Sequence, residues 1–340
     1  MRFRLKLRPS LRGPASGVGI RSGTASRSIK ESEVKSRALV VLLLLGAPSL
    51  VAGQLIGPND FDYPPLPYEA RFFYGPDSLQ HADLRLPDGP GPHPVAVVLH
   101  GGCWQGWHRY RHIERVAEAL TSAGWATWNL AHRQAVDSGG GWPGTFDDVA
   151  GGTDFLREAA QEYPLDLNTV VTIGHSAGGH LALWVAARPR IPEGSELYSA
   201  TPLPIAGVVS LAGIPDLRTH FEQEPGPSGE RSCGDGVTLL LGGTPASVPE
   251  RYRQASPAAL LPLGVPQLLL HGVEDPGIPV AQVEAYAQRA RSSGDSVRLV
   301  TIPNAGHFEL MAPTSSTWES SVKAPLLEFL SDVQARSRQP

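Results

Sequence analysis

The chain has 340 residues, of which 41% are hydrophobic and 18% charged, and its formal net charge is −4. Its 37 Gly and 32 Pro follow no G-X-Y period, which excludes collagen, and 7 Trp, 8 Tyr and 9 Phe are too many for a disordered chain. Residues 1–37 hold ten Lys/Arg and two Glu, whereas beyond them 19 Lys/Arg face 31 Asp/Glu, a net −12 that argues against nucleic-acid binding by the body.

The basic head is followed by Ala38-Leu39-Val40-Val41-Leu42-Leu43-Leu44-Leu45 and then Gly46-Ala47-Pro48-Ser49. A basic region, a short apolar region and small residues are the order of an export signal, with Val51-Ala52-Gly53 as the cleavage site. Residues 1–53 are therefore expected to be an export signal. Its basic region is long, so either translation starts downstream of Met1 or the signal is extended. The alternatives are a retained membrane anchor over the uncharged residues 38–57 and a buried core helix. Past this segment no run is long enough for a span, so a polytopic membrane protein is excluded.

Residues 54–68 carry four Pro and read as an extended lead-in. Two early strands follow at Glu69–Tyr74 and Leu79–Leu86. The run Val95–Leu99 is apolar throughout, as suits a strand buried on both faces of a parallel sheet. Similar runs recur at Ala126–Leu130, Thr169–Ile173, Gly207–Leu211, Gln267–Leu270 and Val297–Ile302. Helical patterns lie between them at Arg111–Ala123, Phe146–Glu162, Ala177–Ala187, Val280–Ser292 and Thr317–Ala335. This alternation predicts an α/β domain with a mostly parallel central sheet and helices on both faces, over residues 69–335. Residues 212–265 are too long for a simple crossover and are expected to form a small insertion near the site.

Chemistry concentrates at the strand ends. Gly174-His175-Ser176-Ala177-Gly178 is a G-x-S-x-G motif between the strand Thr169–Ile173 and an apolar helix. In that setting a serine sits on a sharp turn, flanking glycines remove steric conflict, and the hydroxyl is exposed. The helix N-terminus adds a positive field where an oxyanion would form. His100-Gly101-Gly102-Cys103-Trp104 ends the strand Val95–Leu99, and its tandem glycines let backbone N–H groups turn into a cavity beside that of Ala177.

Together these motifs resemble the α/β-hydrolase superfamily, over roughly residues 69–332. The His100–Trp104 segment is similar to the H-G-G-x-W loop of esterases and kynurenine-formamidase-like enzymes. The resemblance implies Gly102, Cys103 and Ala177 as oxyanion-hole donors. It also implies the chain order Ser…Asp/Glu…His. His271-Gly272-Val273-Glu274-Asp275-Pro276-Gly277-Ile278-Pro279 is similar to the family's H-G-x-x-D-x-x-[VI]-P segment and makes Asp275 the acid, with Glu274 and Asp216 as rivals. Gly306-His307 after the last strand matches the base. Ser176 would attack, His307 would take its proton, and Asp275 would orient the imidazole.

His100, His271, His175 and His180 are expected to hold loops or to pack. His108-x-x-x-His112 has helical spacing but lacks the further ligands of a zinc site. Trp104 and Trp107 either wall an acyl pocket or are ordinary core aromatics. The activity so implied is hydrolysis of small or medium carboxylic esters by an exported enzyme, needing no cofactor and no metal. Its partners would be a small ester or amide substrate, with no nucleic acid, and a membrane only if residues 38–57 are retained. The rivals are an arylformamidase-like amidohydrolase, a prolyl-oligopeptidase-like peptidase and a non-catalytic binding module. Cys103, on the glycine loop, and Cys233, in the insertion expected to overhang the same end of the sheet, can pair as a disulfide in an oxidising compartment if their Cα atoms come within about 7 Å, the alternative being two free thiols.

Overall fold

A computed structural model of the chain describes residues 55–61, 64–106, 108–223 and 233–338. The expected export signal over residues 1–53 lies outside the described residues, as does Trp107.

Eight strands form one sheet: β1 (Ala70–Phe73), β2 (His81–Arg85), β3 (His93–Leu99), β4 (Ala126–Leu130), β5 (Leu165–His175), β6 (Gly207–Leu211), β7 (Gln267–Gly272) and β8 (Val297–Ile302). Their order across the sheet is β1-β2-β4-β3-β5-β6-β7-β8. β1 and β2 pair antiparallel, as do β2 and β4, and the remaining neighbours are parallel. The helices are α1 (Glu114–Ser122), α2 (Gly144–Asp154), α3 (Leu156–Ala159), α4 (Ala177–Ala187), α5 (Leu217–Gln223), α6 (Cys233–Leu241), α7 (Pro249–Ala255), α8 (Val280–Ser292) and α9 (Lys323–Ser337). This is the α/β-hydrolase architecture that the sequence leads one to expect.

The continuous apolar runs become buried strands because both faces are covered. Val95, Val97 and Leu99 of β3 point to one side, where they join Phe146 of α2, Trp184 of α4 and Tyr286 of α8. Ala96 and Val98 point to the other, against Val116 and Leu120 of α1 and Phe329 of α9. Alternation along a strand thus feeds two separate cores. Helix α4 is buried along its whole length, which is why its sequence is apolar all round.

Three expectations change in detail. β5 runs eleven residues rather than five, and a register shift at Pro94/Val95 lets its first residues still pair with β3. The single helix expected over Phe146–Glu162 is split at Phe155, where the Trp128 indole N–H donates to the Gly152 carbonyl at 2.9 Å just before the break. The last helix opens with a π turn, Trp318–Val322, ahead of Pro325, which has no N–H to donate one turn back and so interrupts the regular α ladder of a helix begun at Thr317. The long β6–β7 connection is built from α5, α6 and α7.

The interior holds several imidazoles. Burial pushes the His180 ring down to about 4. Burial, reinforced by Arg109, pushes His132 down to about 3. An unfolded chain takes up protons at these rings below about pH 6.5, and the native state does not until far lower pH. Stability is therefore complete above that pH and falls on acidification, by about 1.4 kcal/mol per pH unit for each such ring. Urea unfolding at pH 7, 6 and 5 should show this slope. His180→Gln, which keeps a donor for the Ala255 carbonyl, should flatten it by about one ring's worth.

Candidate active site

The parallel strands all point their C-terminal ends to one side, so the loops after β3, β5, β7 and β8 converge there. Ser176 sits between β5 and α4 with φ 56° and ψ −123°, a left-handed conformation for a residue with a side chain. The turn is tight enough that a Cβ on Gly178 would collide with the carbonyl oxygen of Leu99, and one on Gly174 with that of Gly178. Those two contacts are the physical content of the G-x-S-x-G pattern. The Ser176 N–H donates to the Leu211 carbonyl at 2.9 Å, tying the turn to β6.

The residues expected as acid and base come from the next two loops. His307 Nδ1 lies 2.6 Å from Asp275 Oδ2. The other carboxylate oxygen, Oδ1, accepts the N–H groups of Gly277 at 2.9 Å and Ile278 at 3.0 Å. Burial favours the neutral acid, but His307 and these donors outweigh it and hold Asp275 below the usual carboxylate range. The loops meet because β7 ends in glycine: a Cβ on Gly272 would collide with the carbonyl oxygens of Gly306 and Ala305. Of the two rivals for the acid, Glu274 is exposed, and Asp216 is held by Arg289 at 2.8 Å and by the Thr219 N–H.

The loop after β3 has three successive residues with positive φ: Gly102 at 110°, Cys103 at 50° and Trp104 at 57°. Gly102, Cys103 and Ala177 are buried, and among the described residues their N–H groups meet no hydrogen-bond acceptor. Burial without a partner is costly for a backbone N–H. Cys103 is bonded to Cys233 at the start of α6, with the two Cα atoms 4.9 Å apart. A cavity of about 200 Å³, almost wholly apolar, is lined by Gly102, Ser176, His307, Phe308, Ile278 and both sulfur-bearing residues.

Trp104 does not wall that cavity, a correction to the sequence expectation. Its indole is 1% exposed in the core, edge-on to the His180 ring, because positive φ turns the residue inward from the loop. His108 and Phe308 take the wall position instead. His108 and His112 stack face to face with centroids 3.8 Å apart.

Several supporting residues were invisible as such in the sequence. His175 Nε2 bonds to the His307 carbonyl at 2.9 Å, so the residue before the serine steadies the backbone of the expected base. Glu309 accepts the N–H of Gly306 at 2.9 Å and that of Ile56 at 2.5 Å, joining the lead-in to the base loop. Gln134 Nε2 donates to the His108 carbonyl at 2.7 Å while its Oε1 accepts the Gly106 N–H. His271 and His100 hold loop backbone as expected, through the carbonyls of Ile278 and Gly101. None of these contacts follows from spacing, since each partner lies on a different loop or turns on side-chain geometry.

A family model described as BD-FAE matches residues 82–289 of the chain. Esterase LipC of Mycobacterium tuberculosis is 29% identical over 72% of this chain and 60% of its own length. The chain thus spans about 60% of the length of the curated relatives it matches. An acetyl ester-xyloside bifunctional hydrolase from Caldicellulosiruptor lactoaceticus superposes with a TM-score of 0.64 at 17% identity, covering 79% of this chain and 98% of that one. A butyrate-bound esterase, Est2 of Thermogutta terrifontis, does so with a TM-score of 0.56 at 18% identity, covering 75% and 88%.

The backbone contacts at the turn make a sharp test. Gly178→Ala should lower the unfolding free energy by on the order of 3 kcal/mol, because the obstacle is backbone and cannot swing away. Gly151→Ala, where an added Cβ meets nothing, should instead gain about 0.5–1 kcal/mol as a helical substitution. Denaturant midpoints of the two variants measure the contrast.

Proposed function

The chain belongs to the BD-FAE family, and on that footing we propose that it is a serine hydrolase of carboxylic esters carrying short acyl groups. One observation carries the proposal. A strained serine and an imidazole paired to a buried carboxylate line the same small apolar cavity.

In the proposed reaction Ser176 Oγ attacks the ester carbonyl while His307 takes its proton. Asp275 fixes the imidazole tautomer and stabilises the imidazolium that forms. The new oxyanion is received by the N–H groups of Gly102, Cys103 and Ala177, which have no other partner among the described residues. His307 then returns the proton to the leaving alkoxide, and a water activated by the same ring cleaves the acyl-enzyme. A cavity of about 200 Å³ is below the ordinary range for drug-sized ligands and favours acetyl to butyryl groups. The butyrate seen in the Thermogutta esterase and the acetyl ester named for the Caldicellulosiruptor hydrolase support that size. Export to an oxidising compartment is part of the proposal, supported by the basic and apolar head and by the disulfide.

Ser176→Ala should keep the fold and lose nearly all hydrolysis of p-nitrophenyl acetate, leaving about 10³-fold over water. A fluorophosphonate probe should label the parent chain at Ser176 and not the variant. Asp275→Asn should cost far more kcat than Asp216→Asn, since only the first carboxylate touches His307. Labelling elsewhere, or a larger loss at Asp216, would overturn the assignment. Faster turnover of N-formyl amides or peptide anilides than of esters would move the reaction class.

A further inference from the structure

The family-like loop carries a cysteine where its backbone calls for glycine: Cys103 has φ 50° and lies between two further residues of positive φ. A side chain is strained there, so something must hold it. Two contacts from α6 act on Cys103 itself. The first is covalent, from Cys233 at the helix's first residue. The second is backbone packing one turn later. A Cβ on Gly236 would collide with the Cys103 carbonyl oxygen and would lie 2.9 Å from Gln105 Nε2, so only glycine lets α6 press on this loop. Cys103, Gly102 and Cys233 all line the cavity that holds Ser176 and His307.

Building on the esterase proposal above, we propose that the Cys103–Cys233 disulfide is a working part of the site. It holds the Cys103 N–H in place as an oxyanion donor, and it forms the wall that limits the length of the acyl group. The bond therefore couples the state of α6 to transition-state stabilisation, not only to fold stability. Reduction by a dithiol transfers two electrons and two protons to the bond. It yields the thiols of Cys103 and Cys233 and the oxidised, cyclic disulfide of the reductant. The loop is then free to relax its positive φ, and α6 is free to draw back from the cavity.

The test compares the oxidised full chain, the chain reduced with dithiothreitol, and Cys233→Ala. Each is assayed on p-nitrophenyl acetate, butyrate, hexanoate and octanoate. Thiol titration verifies two free thiols after reduction, and fluorophosphonate titration of Ser176 counts competent sites. That normalises for any unfolded fraction. Expected is a fall of about tenfold in kcat for acetate with KM within twofold, because the lost interaction is made only in the transition state. The ratio of hexanoate to acetate kcat/KM should rise severalfold in both altered forms. Reoxidation should restore the parent values. If kcat per competent site and the chain-length ratio stay unchanged, the bond is structural only and the proposal falls, even where Tm drops. An oxidised parent chain that cleaves no ester would instead overturn the esterase proposal itself, and so is told apart from a failure of this one.

Discussion

The 2.6 Å contact between His307 Nδ1 and the buried Asp275 carboxylate depends on two loops lying closer than side chains would allow. Gly272 grants that approach, because any Cβ there would strike the carbonyls of Ala305 and Gly306. The parallel sheet does the rest. β7 and β8 are neighbours in register through Gly272 and Ile302, so the acid and base loops leave the sheet side by side. Fixing the carboxylate then falls to the backbone N–H groups of Gly277 and Ile278, which occupy its second oxygen and leave the first for the imidazole. A charged group buried this deeply is tolerated only when each lone pair is met.

Strain is stored in the serine turn and the glycine loop as well. Ser176, Cys103 and Trp104 each hold a positive φ with a side chain in place, at a cost of about 1–3 kcal/mol apiece. Such a conformation persists only where its surroundings over-determine it. Ser176 is locked by β6 through Leu211 and by glycine contacts before and after it. The Cys103 loop is locked by the bond to α6, by the Ala135 N–H on the Trp104 carbonyl, and by Gln134 bridging Gly106 and His108. In chain-entropy terms a crosslink across 130 residues stabilises the fold by about 5 kcal/mol.

What could be read in advance follows from what the code makes local. Apolar runs marked the central strands because burial on both faces leaves no polar position, as in Val95–Leu99. The serine turn was legible because Gly174 answers to a backbone collision inside the motif, with the carbonyl of Gly178, although Gly178 itself answers to Leu99 on another strand. Asp275 and His307 came from the order of motifs along a similar family, not from spacing. The roles of His175, Gln134 and Glu309 were hidden because their partners are brought by tertiary packing from 132, 28 and 253 residues away. Trp104 was ambiguous for a different reason. An aromatic after a glycine loop faces solvent, cavity or core according to one backbone dihedral, and φ 57° sends it to the core.

The same burial also sets the charge of the rings around His307. His108, His175 and His271 all lie close to His307, and burial pushes each of them below the ordinary imidazole value, with the His307 charge pushing the same way. These three rings are thus neutral, packed as apolar walls or as hydrogen-bonding props. In the proposed reaction a proton taken by His307 meets the Asp275 carboxylate at 2.6 Å and no competing cation among these three rings. The attraction acts in a water-poor setting where it is worth more than at the surface. On that proposal, proton transfer to His307 is coupled to one short contact, and the surrounding imidazoles supply shape without charge.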